Sequence, residues 1–444
     1  MSTVRRLLCL AVLVSVAAVW GSGVPVMIAV QLTATTALIM GGTGHPLVDE
    51  SPDFVGQFVR GALDLFIAPT GALRSDPTDP NSYRLATVHT PENFWPVYGT
   101  DIFDRSVATG VGNLGNCLQG RTSCQASYVT DGVADTSDYV TFGYSQSARI
   151  ASIAKRNLIA QYRNADGTWT PVVDANGAPL RASFVLIGNP NRPNGGILQR
   201  FAGLHIPVLG VTFDGATPTD SCDGTDCRFR TVDIAWQYDG WADFPQRPLN
   251  LLADLNALAG IIYLHPNYTV SAADAVYQGT TGDTAYFLLP TARLPLLMPL
   301  ARLGVPAPIL DVLDAPLRVI VEWAYDRDVN PGDPTRATLT DPNNPAAMVR
   351  NLLAAIGVGV DDGLQSAGFG RPLGTTPAGP FGVGGAPPPA NTPLPVTTSA
   401  SRQTVAKPRG AAGPSSRNRA ARDARPPTGH KPKGAGVGGH RSRF

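Results

Sequence analysis

The chain has 444 residues, 43% of them hydrophobic and 16% charged, with 35 Lys and Arg against 34 Asp and Glu. That balance excludes a chain disordered throughout and describes a globular body, and 40 Pro with 47 Gly point to many loops. The net charge of +1 conceals two opposed parts: residues 401–444 hold eleven Lys or Arg against the single acid Asp423, leaving 24 basic and 33 acidic residues before them.

At the N-terminus Arg5 and Arg6 precede apolar residues 7–19, a break at 20–23, and a second apolar run at 24–30. This is the pattern of an export signal. Two readings stay open for residues 1–35: a cleaved signal peptide, or an anchor whose apolar halves together are long enough to span a bilayer. Next, Ala37-Leu38-Ile39-Met40 reads as a short buried strand running into Gly41-Gly42-Thr43-Gly44-His45. The spacing is not G-x-G-x-x-G and no P-loop lysine follows, so phosphate binding is the poorer reading. A loop that bares its N–H groups suits an oxyanion hole, with Gly42 or Thr43 as donor. A tight turn needing positive φ accounts equally well for any single glycine there.

Cys117, Cys124, Cys222 and Cys227 form two close pairs, and in an exported chain the short loops favour Cys117 with Cys124 and Cys222 with Cys227. Neither pair has the C-x-x-C spacing of a zinc site, and Asp220, Asp223 and Asp226 lack an EF-hand register.

Apolar residues 139–142 lead into Gly143-Tyr144-Ser145-Gln146-Ser147, followed by a helical apolar face of Ala148, Ile150, Ala151, Ile153, Ala154, Leu158 and Ile159. Strand, sharp turn and helix are the context in which a serine hydroxyl is lifted out as a nucleophile. Ser145 is therefore the candidate nucleophile and the N–H of Gln146 a candidate oxyanion donor. The sequence departs from G-x-S-x-G at Ser147.

A base must be a histidine, and outside the low-complexity tail the chain offers His45, His89, His205 and His265. His205, before Ile206-Pro207-Val208-Leu209, reads as the entrance to a buried strand, and His89 as structural. The α/β-hydrolase order of Ser, acid and His selects His265. Between them an apolar stretch at 231–238 ends in Asp239-Gly240-Trp241-Ala242-Asp243-Phe244-Pro245. Asp243, after a glycine turn and before a proline, is the preferred acid; Asp239, which can instead brace the turn, is the alternative.

Short apolar strands at 38–40, 139–142, 184–187, 208–213 and 232–238 alternate with helical stretches, which predicts a mostly parallel sheet with flanking helices. The leucine- and proline-rich segment 286–323 reads either as an apolar cap over the site or as ordinary core helices, and its prolines argue against a membrane span. From residue 372 the chain turns rich in Pro, Gly, Ser, Thr and Ala, so residues 36–371 are expected to form one domain and 372–444 a disordered basic tail. Such a tail suits anionic lipid headgroups or wall polymers rather than nucleic acid.

Together, Ile39-Met40-Gly41-Gly42-Thr43-Gly44, Gly143-Tyr144-Ser145-Gln146-Ser147-Ala148, Gly188-Asn189-Pro190, Tyr238 to Pro245 and Tyr263-Leu264-His265 resemble the mycobacterial PE-PPE domain over roughly residues 36–340. The resemblance implies an α/β-hydrolase fold related to cutinases, serine esterase or lipase activity, and membrane-anchored members that transfer acyl groups between trehalose glycolipids; no cofactor or metal is expected. It places Ser145, His265 and an aspartate of the 239–243 loop in the catalytic roles. The expectation is an exported cell-envelope serine hydrolase or acyltransferase acting on acyl esters or glycolipids, with water or a sugar hydroxyl as acceptor. The contrasting class is a non-catalytic envelope-binding protein on the same scaffold.

Overall fold

The computed structural model describes residues 35–130, 138–340 and 344–385. Apart from Thr35, the export segment expected at 1–35 lies outside these residues, as do residues 386–444 of the expected tail. The first half runs β1 (Thr35–Ile39), α1 (Pro52–Ala62, prolonged by a π-helical turn at Leu63–Ile67), β2 (Tyr83–Val88), α2 (Phe103–Leu118), β3 (Ala126–Tyr128), β4 (Asp138–Tyr144), α3 (Gln146–Tyr162) and β5 (Arg181–Ile187). Then come α4 (Ile197–Arg200), the small pairs β6 (His205–Ile206) with β7 (Val211–Thr212) and β8 (Cys222–Asp223) with β9 (Asp226–Cys227), and β10 (Thr231–Trp236). The remainder is α5 (Leu251–Tyr263), β11 (Val276–Thr281), β12 (Thr284–Leu289), α6 (Met298–Arg302), α7 (Ala307–Glu322) and α8 (Pro345–Ser366).

One sheet of the described residues has the order β11-β12-β10-β5-β4-β1-β2-β3. Every pairing is parallel except at the two edges, where β3 and β11 run antiparallel to their neighbours. This is the expected α/β architecture. Parallel strands covered on both faces read as continuous apolar runs, because successive side chains enter opposite cores. Leu38 and Met40 join a core with Val107, Ile150 and Phe184 on one side, while Ala37 and Ile39 join Val59, Phe66 and Phe142 on the other.

The chain moves outward from β1 to β2 and then returns to place β4 on the other flank of β1. That reversal is a topological switch point. The loops leaving the carboxyl ends of β1 and β4 part there and open a crevice, the usual place for a ligand in an open α/β sheet. These are the Gly41–His45 loop and the turn at Ser145.

Three expectations change. Residues 208–213 do not enter the main sheet; Val211–Thr212 pairs only with His205–Ile206 in a side hairpin, and His205 is exposed. Part of the segment expected as cap or core helices is a sheet strand, β12, and α7 packs on α5 and α8. The domain also continues past residue 371. Phe381 is buried with Ala235, Ala242 and Leu288, and the Pro380 carbonyl accepts from Gln237 Nε2 at 2.8 Å and Arg318 Nη1 at 2.9 Å. Apolar contact and satisfied polar groups hold residues whose composition alone reads as linker. Both disulfides form as expected, Cys117 with Cys124 and Cys222 with Cys227.

Candidate active site

Ser145 stands between β4 and α3 with φ 60° and ψ −115°, a conformation that L-residues rarely adopt. Its N–H is held by the Ile187 carbonyl at 3.0 Å. Gly143 is required because a Cβ there would meet Ser147 O at 2.6 Å and Ala148 Cα at 2.8 Å. The serine that replaces the usual second glycine braces the turn: Ser147 Oγ accepts from Tyr144 N–H at 2.8 Å and donates to Tyr144 O at 3.1 Å.

Ser145 Oγ lies 2.7 Å from His265 Nε2, and His265 Nδ1 lies 2.7 Å from Asp239 Oδ2. A carboxylate only accepts, so Nδ1 carries the proton and Nε2 of the neutral ring is left to receive the serine hydroxyl. Asp239 is wholly buried. It also accepts from the Tyr268 hydroxyl at 2.8 Å and the Trp241 N–H at 3.0 Å. Burial, reinforced by the Asp239 charge, holds the Tyr268 phenol well above its ordinary pKa, so it remains a donor. Tyr144 donates to the His265 carbonyl, fixing the histidine backbone as well as its ring. Gly188 gives the ring room: a Cβ there would lie 2.9 Å from His265 Cε1.

Asp243 does not face the imidazole, and this corrects the preferred choice of acid. Its carboxylate takes Arg327 in a bidentate pair, Oδ1 to Nη1 at 2.7 Å and Oδ2 to Nη2 at 3.0 Å, and accepts the Tyr238 N–H at 2.8 Å. The reason lies in the turn. Tyr238 adopts φ 70° as the chain leaves β10, and the N–H groups of Ala242 and Asp243 then fold back onto the Asp239 carbonyl at 3.0 and 2.6 Å. Asp239 is thereby left just beyond the strand, against the His265 ring, while Asp243 is turned toward Arg327. Arg327 stands far downstream, and nothing near Asp243 in the sequence announces it.

Gln146 opens α3, so its N–H is one of the amides that the helix itself leaves unused, at the positive end of the helix dipole. Its buried side chain ties three segments together. Oε1 accepts from Thr43 Oγ1 at 2.8 Å, and Nε2 donates to Ser106 Oγ at 2.7 Å and to the Asn93 carbonyl at 3.2 Å. The loop containing Gly42 and Thr43 is pinned beside the serine turn, and Gly44 N–H is held in addition by the Glu92 carbonyl at 3.0 Å. Of the other histidines, His45 stacks on Phe54 with ring centroids 5.0 Å apart, and His89 Nε2 meets Ser127 Oγ at 2.7 Å.

A cleft of about 600 Å³ contains Ser145, Gln146, Thr43 and His265. Its walls are chiefly apolar, from Phe54, Phe58, Leu65 and Phe66 on one side to Phe94, Phe103, Trp241 and Ile261 elsewhere. None of its lining residues comes from 286–323. The apolar wall that sequence reasoning sought there is supplied by α1 and its π-helical extension, which sequence reasoning left without a role. Sequence reasoning also missed Tyr268, Asn93 and Ser106. Among the described residues no cluster of His, Cys, Asp or Glu is arranged to hold a metal ion.

The PE-PPE domain model matches residues 80–326. The chain belongs to the PE-PPE domain family. Among relatives from Mycobacterium tuberculosis (strain ATCC 25618 / H37Rv), Esterase PE16 is 38% identical over 332 residues, covering 72% of this chain and 54% of the relative. PE family protein PE3 is 36% identical over 344 residues, covering 75% and 63%. Diacyltrehalose acyltransferase Chp2 is 28% identical over 248 residues, covering 51% and 66%. The chain thus spans between half and two thirds of the length of these PE-PPE relatives. No solved structure matches. Two of these relatives are named for an activity, PE16 as an esterase and Chp2 as a diacyltrehalose acyltransferase, and the two disulfides of this chain fit an exported protein. No helix among the described residues is long and apolar enough to cross a membrane.

Proposed function

We propose that this protein is an exported serine esterase or acyltransferase of the cell envelope in which Ser145, His265 and Asp239 act in series. The observation that carries the reading is the pair of 2.7 Å contacts linking hydroxyl, imidazole and buried carboxylate. Ser145 Oγ bonds to the ester carbonyl carbon as its proton passes to His265 Nε2. The tetrahedral oxyanion is held by the Gln146 N–H and by an N–H of Gly42 or Thr43. The C–O bond to the leaving alcohol then breaks, and the alcohol departs with the proton from Nε2, leaving an acyl-serine. An acceptor hydroxyl attacks in turn, gives its proton to Nε2, and releases Ser145 with that proton restored. Asp239 fixes the tautomer and stabilises the imidazolium, with Tyr268 and Trp241 holding the carboxylate in place.

The acceptor is water in an esterase, as the name of PE16 suggests, or a sugar hydroxyl in transfer between trehalose glycolipids, as the name of Chp2 suggests. The apolar cleft supports an acyl ester as donor in either case.

The test is labelling of the protein by a fluorophosphonate, followed by product analysis with an acyl-trehalose donor in the presence and absence of acceptor trehalose lipid. Labelling abolished by Ser145→Ala and His265→Ala, and strongly reduced by Asp239→Asn, is the expected result. No labelling of a folded wild type would favour a binding protein on a hydrolase scaffold.

A further inference from the structure

Residues Phe54, Gln57, Phe58, Gly61, Ala62, Leu65 and Phe66 all line the cleft. They recur at the spacing of one helical face, so a single wall of the cleft is the inner face of α1 and its extension. Both ends of this wall are fastened to the site. Phe54 stacks on His45 of the glycine loop at 5.0 Å, and Phe66 packs on Phe142 at 6.0 Å and on Tyr268, the partner of Asp239, at 6.4 Å.

Gly61 lies between these anchors, two turns beyond Phe54. Glycine within a helix is unfavourable relative to alanine, and here the helix continues past it to Ile67. Neither backbone strain nor close packing requires it, since a Cβ built at Gly61 meets no atom within 4 Å. What the missing side chain leaves is space in the cleft wall between Phe58 and Leu65, one turn to either side.

We propose that Gly61 is the chain-length gauge of this site: its bare backbone keeps open the part of the cleft that receives the distal methylenes of a long acyl chain esterified at the reacting carbonyl. This rests on the acyl-ester reading above and narrows it to medium- and long-chain donors. The occupant is an acyl chain because the space is continuous with Ser145 and His265 and is walled by Phe58, Leu65 and Phe66. Each methylene buried there favours the longer ester by roughly fourfold.

The experiment compares kcat/KM for p-nitrophenyl butyrate, octanoate, dodecanoate and palmitate in the wild type, Gly61→Ala, Gly61→Leu and Gly61→Phe. Gly112→Leu serves as control: it is an exposed helical glycine in α2, outside the cleft, whose Cβ also meets nothing. The dodecanoate-to-butyrate ratio is expected to fall with the size of the residue at 61, by about tenfold or more for Leu if two or more methylenes are excluded, and to hold in the control. An unaltered ratio, or equal loss on every ester, overturns the proposal. If the wild type turns over no ester and resists fluorophosphonates, the catalytic reading fails by itself. Calorimetric binding of dodecanoic acid then decides the cleft: loss in Gly61→Leu with retention in Gly112→Leu supports the gauge, and equal binding by both overturns it.

Discussion

Asp239 and Asp243 stand in one loop, both buried, yet they hold different kinds of partner. Asp239 takes a neutral imidazole, a phenol and an amide; Asp243 takes a guanidinium in a bidentate pair and a backbone amide. Burial and residue type are shared, so neither identifies the acid of the site. The partner does. A carboxylate spent on a fixed cation is already neutralised and rigid, whereas one whose donors are neutral keeps its charge for the imidazolium that forms during reaction.

One substitution at each aspartate tests that contrast. Asp239→Asn keeps the shape but offers the imidazole a donor or a neutral acceptor, which favours the wrong tautomer. Ester turnover should fall by about 10⁴-fold with little change in melting temperature. A loss under tenfold would show that Asp239 merely braces the turn. Asp243→Ala should reverse the pattern. It leaves Arg327, 13% exposed, with only Glu322 as its ion-pair partner, and we expect a stability loss of about 3 kcal/mol by denaturant titration. Because Asp243 also holds the Tyr238 N–H beside Asp239, turnover of the folded fraction should fall by about tenfold or less.

Glu92 extends the comparison to a buried acid without a cation. Burial raises its pKa to about 8, and neither carboxylate oxygen has a hydrogen-bond partner among the described residues to offset that. The sign follows directly. Below the unfolded pKa, near 4.5, both states are protonated and no penalty exists. Between there and about pH 8 the unfolded chain ionises while the folded one stays neutral, so this group makes stability fall as pH rises. Glu92→Gln should therefore be more stable than the wild type at pH 8, by on the order of 3 kcal/mol, with the gap closing toward pH 4. Equal pH slopes in the two proteins would refute the assignment.

A purely kinetic effect is expected at the polar corner of the cleft. Gln146→Ala keeps the helix N–H but releases Thr43, Ser106 and the Asn93 carbonyl from one shared side chain. Turnover should fall by roughly 10- to 100-fold, mainly in kcat, since the second oxyanion donor is loosened rather than removed. A change confined to KM would place the network in substrate binding instead.

Local chemistry is what one-dimensional reading recovered here. The serine turn was legible because a nucleophile on a sharp strand-to-helix turn needs small neighbours, and Gly143 and Ser147 lie within four residues of each other. The paired cysteines were legible because short loops leave few alternatives. The single histidine in the right chain order pointed to His265 by elimination. The acid was not legible, since the choice turned on the left-handed Tyr238 and on Arg327, neither marked within the 239–245 loop. The apolar wall was misplaced for a related reason: a leucine-rich segment reads alike whether it lines a ligand cleft or a core, and only packing separates the two.

The sequence by itself therefore determined the strand-turn-helix around Ser145 and the disulfide pairs, because each depends on neighbours a few positions away. Tertiary structure alone decided which aspartate meets His265, that α1 forms the wall of the cleft, and that residues 372–385 belong to the fold. Those outcomes depend on contacts between segments tens to more than a hundred residues apart, which no local pattern in the chain records.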